Sequence, residues 1–159
     1  MTDVDVPRVV QASRVVAAPA ERLFEQIADP ALQPAWDGND NLAEAAPGQR
    51  VRAEGDVFTM TLTNGQVREN HVVELEEGRR IAWRPAVPGE APPGHLWRWE
   101  LEPEGAGTRV THTYDWSDLH DASRHARARA TGPAQLLASI DRLARVVEGE
   151  APGAGVQGS

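Results

Sequence analysis

Two short rows place proton-handling side chains among apolar ones at every second position. In "VRENHVVEL" (67–75), Glu69 and His71 interrupt Val67, Val73 and Leu75. In "VTHTYDW" (110–116), His112 and Tyr114 interrupt Val110 and Trp116. A period of two puts each set on one face of a strand. A carboxylate beside an imidazole in an apolar cup is a pairing that general acid–base chemistry uses, because each pKa is set by the other group and by burial. A phenol close by can orient a carbonyl or a phenolate. Glu69, His71, His112 and Tyr114 are therefore the candidate catalytic residues. The plainer expectation for them is a satisfied polar cluster, or for Glu69 a strand edge open to water, since burying such groups unpaired is costly.

The same rows are rich in rings. If the odd positions of 67–75 and 95–101 and the even positions of 58–62 and 110–116 turn to one side, that side carries Phe58, Met60, Trp83, Trp97, Trp99, Tyr114 and Trp116. Trp36 is expected at the rim of that face. Five of the eight aromatic residues are tryptophan, whereas a plain core is built mostly from Leu, Ile and Val. Stacking surfaces with an occasional polar handle suit a planar ligand. The candidate ligand-binding set is Trp36, Phe58, Met60, Trp83, Trp97, Trp99 and Trp116, with Leu136 and Ile140 from the last helix. Arg98, Glu100, Arg109, Thr111 and Asp115 have the opposite parity and read as a solvated outer face. The locally basic "HDASRHARARA" (120–130) is expected to be a solvated helix or loop, with a role at the mouth of a cavity as the alternative.

Composition removes several kinds of chemistry. The 159 residues contain no cysteine and no lysine, so all sixteen cations are arginine. Thiolate nucleophiles, disulfides, thiolate metal sites, lysine Schiff bases, pyridoxal attachment and a Walker-type phosphate loop are excluded. The five histidines show no i, i+4 pair, and neither a metal nor a cofactor is expected. A net charge of −8 argues against nucleic acid as a partner. No run approaches the ~20 apolar residues of a membrane span, and no signal-like segment opens the chain. A cytoplasmic protein without membrane insertion, monomeric or homodimeric, is the expectation.

Positioning these residues requires a particular order of elements. "VVQASRVVAAP" (9–19) reads as a strand, and "AERLFEQIAD" (20–29) as a helix burying Leu23, Phe24 and Ile27. "PALQPAWDG" (30–38) reads as a second short helical piece, followed by an acidic loop to about Gln49. About six antiparallel strands fill 50–117, with Asn64-Gly65 as a two-residue hairpin turn. "PAQLLASIDRLARVVEGE" (133–150) is an amphipathic helix with Leu136, Leu137, Ile140, Leu143, Ala144 and Val147 on its apolar stripe. The fold class is α+β, a curved antiparallel sheet of about seven strands covered by a long C-terminal helix. The expected division is an N-terminal segment 1–7, one domain over 8–149 and a flexible tail over 150–159.

Four stretches resemble the SRPBCC (START/Bet v 1-like) superfamily, within it the polyketide cyclase/dehydrase-like branch. They are "ASRVVAAPAERLFEQIADPALQPAW" (12–36), "VVELEEGRRIAWR" (72–84), "WELEPEGAGTRVTHTYDWS" (99–117) and "LLASIDRLARVVE" (136–148), in the right order and at the right separations. The resemblance implies a helix-grip fold with a large cavity between sheet and C-terminal helix. It implies binding of a hydrophobic small molecule, aromatic or polyketide- or lipid-like, as the leading function. A cofactor-independent aromatase/cyclase or dehydratase is the alternative, since aldol-type cyclisation and dehydration need proton transfer and shape. A third possibility is a protein-interaction module without a ligand.

Overall fold

The valine-rich opening forms strand β1 (Val9–Val16) in the computed structural model, which describes residues 8–150. The segments 1–7 and 151–159, expected to be an N-terminal segment and a tail, lie outside the described residues. Pro19, extended at φ −72° and ψ 151°, leads into helix α1 (Ala20–Ala28), which buries Leu23, Phe24 and Ile27. Pro30 has no N–H to continue that helix. Asp29 instead caps a 3₁₀ helix, Pro30–Ala35, its carboxylate accepting from the Ala31 N–H at 3.2 Å. The second helical piece is thus 3₁₀ in kind and holds Pro34 within it.

The sheet continues with β2 (Leu42–Glu44), β3 (Val57–Leu62), β4 (Val67–Glu76), β5 (Arg80–Ala86), β6 (Leu96–Glu104) and β7 (Gly107–Asp115). Its order is β1-β7-β6-β5-β4-β3-β2, antiparallel throughout. Six of the strands form a meander, and β1 closes the far edge on β7. The short edge strand β2 lies inside what the sequence suggests is a loop. A 3₁₀ turn (Ala122–Arg124) and helix α2 (His125–Ala130) then lead into helix α3 (Pro133–Glu150).

Helix α3 buries Leu136, Ile140, Leu143, Ala144 and Val147. Leu137 is corrected: it is 39% exposed, since the buried stripe passes through Ser139 instead. Polar clamps flank that stripe. Arg14 on β1 meets Asp141 at 2.8 Å, and Arg142 meets Asp40 at 2.6 Å. Gly38 seats its loop on the helix, its N–H donating to Ser139 Oγ at 2.8 Å. A Cβ there would lie 2.7 Å from the Ser139 nitrogen, so the approach requires glycine.

One register expectation needs correction. A two-residue turn at Asn64-Gly65 would pair Leu62 with Val67 and turn Val67, Glu69, His71 and Val73 inward. The hairpin instead closes with the Leu62 N–H donating to the Gln66 carbonyl at 2.7 Å. That leaves Thr63, Asn64 and Gly65 in a three-residue loop, with Gly65 at φ +88°. Phe58 then faces Asn70, and Met60 faces Arg68. A slip of one residue moves a whole strand's side chains to the other face. Arg68, Asn70 and Val72 point inward, while Val67 and Val73 are each 38% exposed. A bulge between Val72 and Glu74 restores the phase, so Leu75 packs on the core as expected.

Candidate functional site

Two packed clusters leave a space between them. One joins α1, the middle of the sheet and α3 through Phe24, Ile27, Trp36, Phe58, Trp83, Trp99, Ile140 and Leu143. The other gathers Tyr114, Trp116, Leu119, Ala128 and Leu136. The cavity bordered by both has a volume of about 550 Å³. Its sheet wall carries Met60, Trp83, Trp97, Trp99, His112 and Tyr114. Its roof is the segment from Leu119 to Gln135, so only the first turn of α3 takes part. Ser123, Arg127 and Ala130 line the cavity, and Arg127 and Ala130 are exposed, which marks where it meets solvent.

Cross-strand register builds the wall. Trp97 on β6 lies opposite Tyr114 on β7, and Trp99 lies opposite His112. The rings make a continuous chain. His95 meets Tyr114 edge-on at 6.1 Å, Tyr114 meets Trp97 at 4.4 Å, and Trp97 meets His112 at 5.7 Å. His112 stacks on Trp99 at 3.8 Å with planes 15° apart, and Trp99 meets Trp36 edge-on at 5.1 Å. Such pairs add to the area each ring buries.

The wall also carries polar atoms left without protein partners. Trp99 Nε1, His112 Nδ1 and His95 Nδ1 are all buried and unbonded. Trp99 is only 1% exposed and His112 only 4%. Burial pushes the His112 imidazole down to about 3, opposed in part by a hydrogen bond to the main chain at Leu136. That carbonyl can only accept, so the neutral ring donates to it and its free Nδ1 is an acceptor. Burial, then the charges of Arg124, Arg84, Arg127 and Arg68, push His95 down to about 4. Burial pushes the Tyr114 phenol up to about 12. At neutral pH the sheet wall is therefore uncharged along this row and holds an unbonded indole donor and an unbonded imidazole acceptor.

The expected residues divide clearly. Trp36, Met60, Trp83, Trp97, Trp99, His112 and Tyr114 come together on the cavity. Phe58, Trp116, Leu136 and Ile140 do not line it: they are packed in the two clusters behind it. Glu69 and His71 are corrected with the register of β4 and fall on the other face of the sheet. There the Glu69 carboxylate accepts from the Gly89 N–H at 3.2 Å, and His71 lies in register with Arg84. The outer-face reading of Arg98 fits its 2.8 Å pair with Glu74. Sequence reasoning missed Arg68 and Asn70 because of the turn length. It missed Gln33 and Asp37 because polar residues in a short 3₁₀ segment carry no periodic signal. The Asp37 carboxyl accepts from the Asn39 and Asn41 N–H groups, and burial outweighs these bonds to raise its pKa.

Residues 7–148 match the family model described as polyketide cyclase / dehydrase and lipid transport. The chain belongs to that family. Membership in the polyketide cyclase / dehydrase and lipid transport family agrees with the SRPBCC resemblance of the four sequence stretches. The uncharacterized protein Rv0088 of Mycobacterium tuberculosis is 28% identical over 157 residues, which takes in 87% of this chain and 66% of that protein. This chain thus spans just under two thirds of that relative. Among solved structures, MLL2253 from Mesorhizobium loti superposes with a TM-score of 0.65 at 18% identity, over 89% of this chain and 97% of that one. DynU16, from the dynemicin biosynthetic locus, superposes with a TM-score of 0.63 at 23% identity. That match covers 92% of this chain and 49% of DynU16, so the chain spans about half of it. The structural likenesses carry the helix-grip fold of this polyketide cyclase / dehydrase family member. No helix among the described residues is long and apolar enough to cross a membrane.

Proposed function

We propose that the protein binds a flat hydrophobic small molecule, aromatic or polyketide- or lipid-like, in the cavity between the sheet and the Leu119–Gln135 roof. The observation that carries this reading is the pairing of a cavity lined by four tryptophans with buried polar atoms that have no protein partner. A core built for stability alone leaves few such atoms unsatisfied, because each costs about 1–3 kcal/mol. A ligand hydroxyl that reaches these atoms would accept from the Trp99 indole or donate to His112 Nδ1. The family supports a hydrophobic ligand or a polyketide-processing role, and DynU16 comes from a biosynthetic locus.

Binding is preferred over cyclase or dehydratase chemistry for a physical reason. A general base works best with a pKa near the operating pH, and His112 is held at about 3 while Tyr114 is held at about 12. Both serve better as fixed hydrogen-bonding groups than as proton carriers. The test is native mass spectrometry of the purified protein, with tryptophan fluorescence across naphthols, polyketide-like phenols and fatty acids. Quenching by hydroxyaryl ligands that His112→Phe weakens about tenfold or more is expected. No retained mass and no fluorescence response across the panel would overturn the reading.

A further inference from the structure

Three of the cavity's lining residues are arginines: Arg68 on β4, Arg124 in the 3₁₀ turn and Arg127 on α2. They come from separate elements, yet the charges of Arg124 and Arg127 both reach Arg68 and help burial to lower its pKa. Like charges gathered this way repel, and the usual remedy is a carboxylate among them. Here it is largely missing. Arg68 donates only to the Val67 carbonyl at 3.2 Å and the Gln66 side-chain oxygen at 3.1 Å, both neutral. Arg124 has an exposed pair with Asp121 at 3.2 Å. Among the described residues no carboxylate pairs with Arg127. Elsewhere in a chain of net charge −8, Arg14, Arg50, Arg80, Arg84, Arg98, Arg109 and Arg142 each meet an acid.

We infer that the mouth of the cavity is an anion site, and that the ligand is an amphipathic acid whose flat body lies on the tryptophan wall and whose anionic group meets Arg68, Arg124 and Arg127. This rests on the cavity being a ligand site and names the chemical class of what enters it. The ring chain runs from His95 and Tyr114, beside these arginines, to Trp99 and Trp36, so one molecule can span both ends. Arginine suits such a site because its planar fork holds carboxylate or sulfonate oxygens in pairs and stays charged when partly buried. The basic run 120–130 thus acquires a purpose that its composition alone leaves open.

The test uses the whole chain and matched probes. Binding of neutral N-phenyl-1-naphthylamine is followed by its fluorescence, and 2-naphthoate and 2-naphthamide compete for it. These competitors share shape and differ by one charge. The acid is expected to bind about tenfold tighter than the amide at low salt, with the advantage shrinking as salt rises. The acid-to-amide ratio should fall towards one in Arg68→Gln with Arg127→Gln, and stay as in the parent in Arg109→Gln, a change on the outer face. Equal affinity of acid and amide for the parent protein, with the naphthylamine bound, would overturn the anion site and leave the cavity reading standing. Failure of the naphthylamine and both competitors to bind would overturn the cavity reading, and this inference with it.

Discussion

His112 shows how a single residue's setting decides what it can do. Its ring lies flat on Trp99, it is bonded on one side to the main chain at Leu136, and its other nitrogen is buried without a partner. Burial holds it, and His95, far below the 6.5 of a free imidazole. Between pH about 6.5 and 4 the unfolded chain therefore takes up protons that the folded one refuses. The stability these two residues contribute is complete above that window and is lost as pH falls through it, by as much as ~1.4 kcal/mol per pH unit for each. Urea midpoints should drop steadily from pH about 7 to about 4.5, before most carboxylates titrate. His112→Phe should flatten that slope. An unchanged slope would show that the ring is hydrated and titrates normally. Neither the stacking nor the missing partner can be read from a lone His in an alternating row; only the register across β6 and β7 creates them.

At the scale of elements, the sheet's order and the one-sided burial of its strands follow from alternation and turn residues visible in the chain. The register of β4 does not, because Asn64-Gly65 suits a two-residue turn and a three-residue one with glycine at positive φ alike. The shorter turn would put Glu69 and His71 in the cavity in place of Arg68 and Asn70. In β6 and β7 no such ambiguity arises, and spacing alone places Trp97, Trp99, His112 and Tyr114 on the inner face. The extent of the roof is also illegible in the chain, since the segment 119–132 is polar and its place over the cavity depends on long-range packing. The link between Gly38 and α3 belongs to this scale as well. Gly38→Ala would push a Cβ to within 2.9 Å of the Gln135 carbonyl and the Ser139 hydroxyl, against a helix that cannot yield. Overpacking of this kind costs about 1–3 kcal/mol. Because Asp37 and Asn39 on either side line the cavity, thermal unfolding and probe affinity should fall together. A stability loss with unchanged affinity would mean that the loop is decoupled from the site.

Over the whole molecule, the cavity joins parts of very different burial. The sheet wall belongs to strands paired on both sides, while Ala126, Arg127, Arg129 and Ala130 in the roof are exposed. Leu119 and Ala128 are its buried anchors, helped by the 2.7 Å bond between His125 Nε2 and the Leu119 carbonyl. Segments with few buried contacts open at the low end of a protein's range of local stabilities. The roof is therefore the part of the cavity best able to move as a ligand enters, and a bound ligand should hold it down. Hydrogen–deuterium exchange should find 119–132 exchanging faster than β6 and β7 in the free protein. With 2-naphthoate at about 100 times its Kd, mass action adds roughly 2.7 kcal/mol to the bound form, enough to slow roof exchange up to about a hundredfold where opening releases the ligand. Protection in the roof should far exceed any in β1 or at the β2–β3 edge. Protection confined to that edge would place the entrance on the opposite side, by Asn39 and Asn41, and make the arginine-bearing roof a fixed wall.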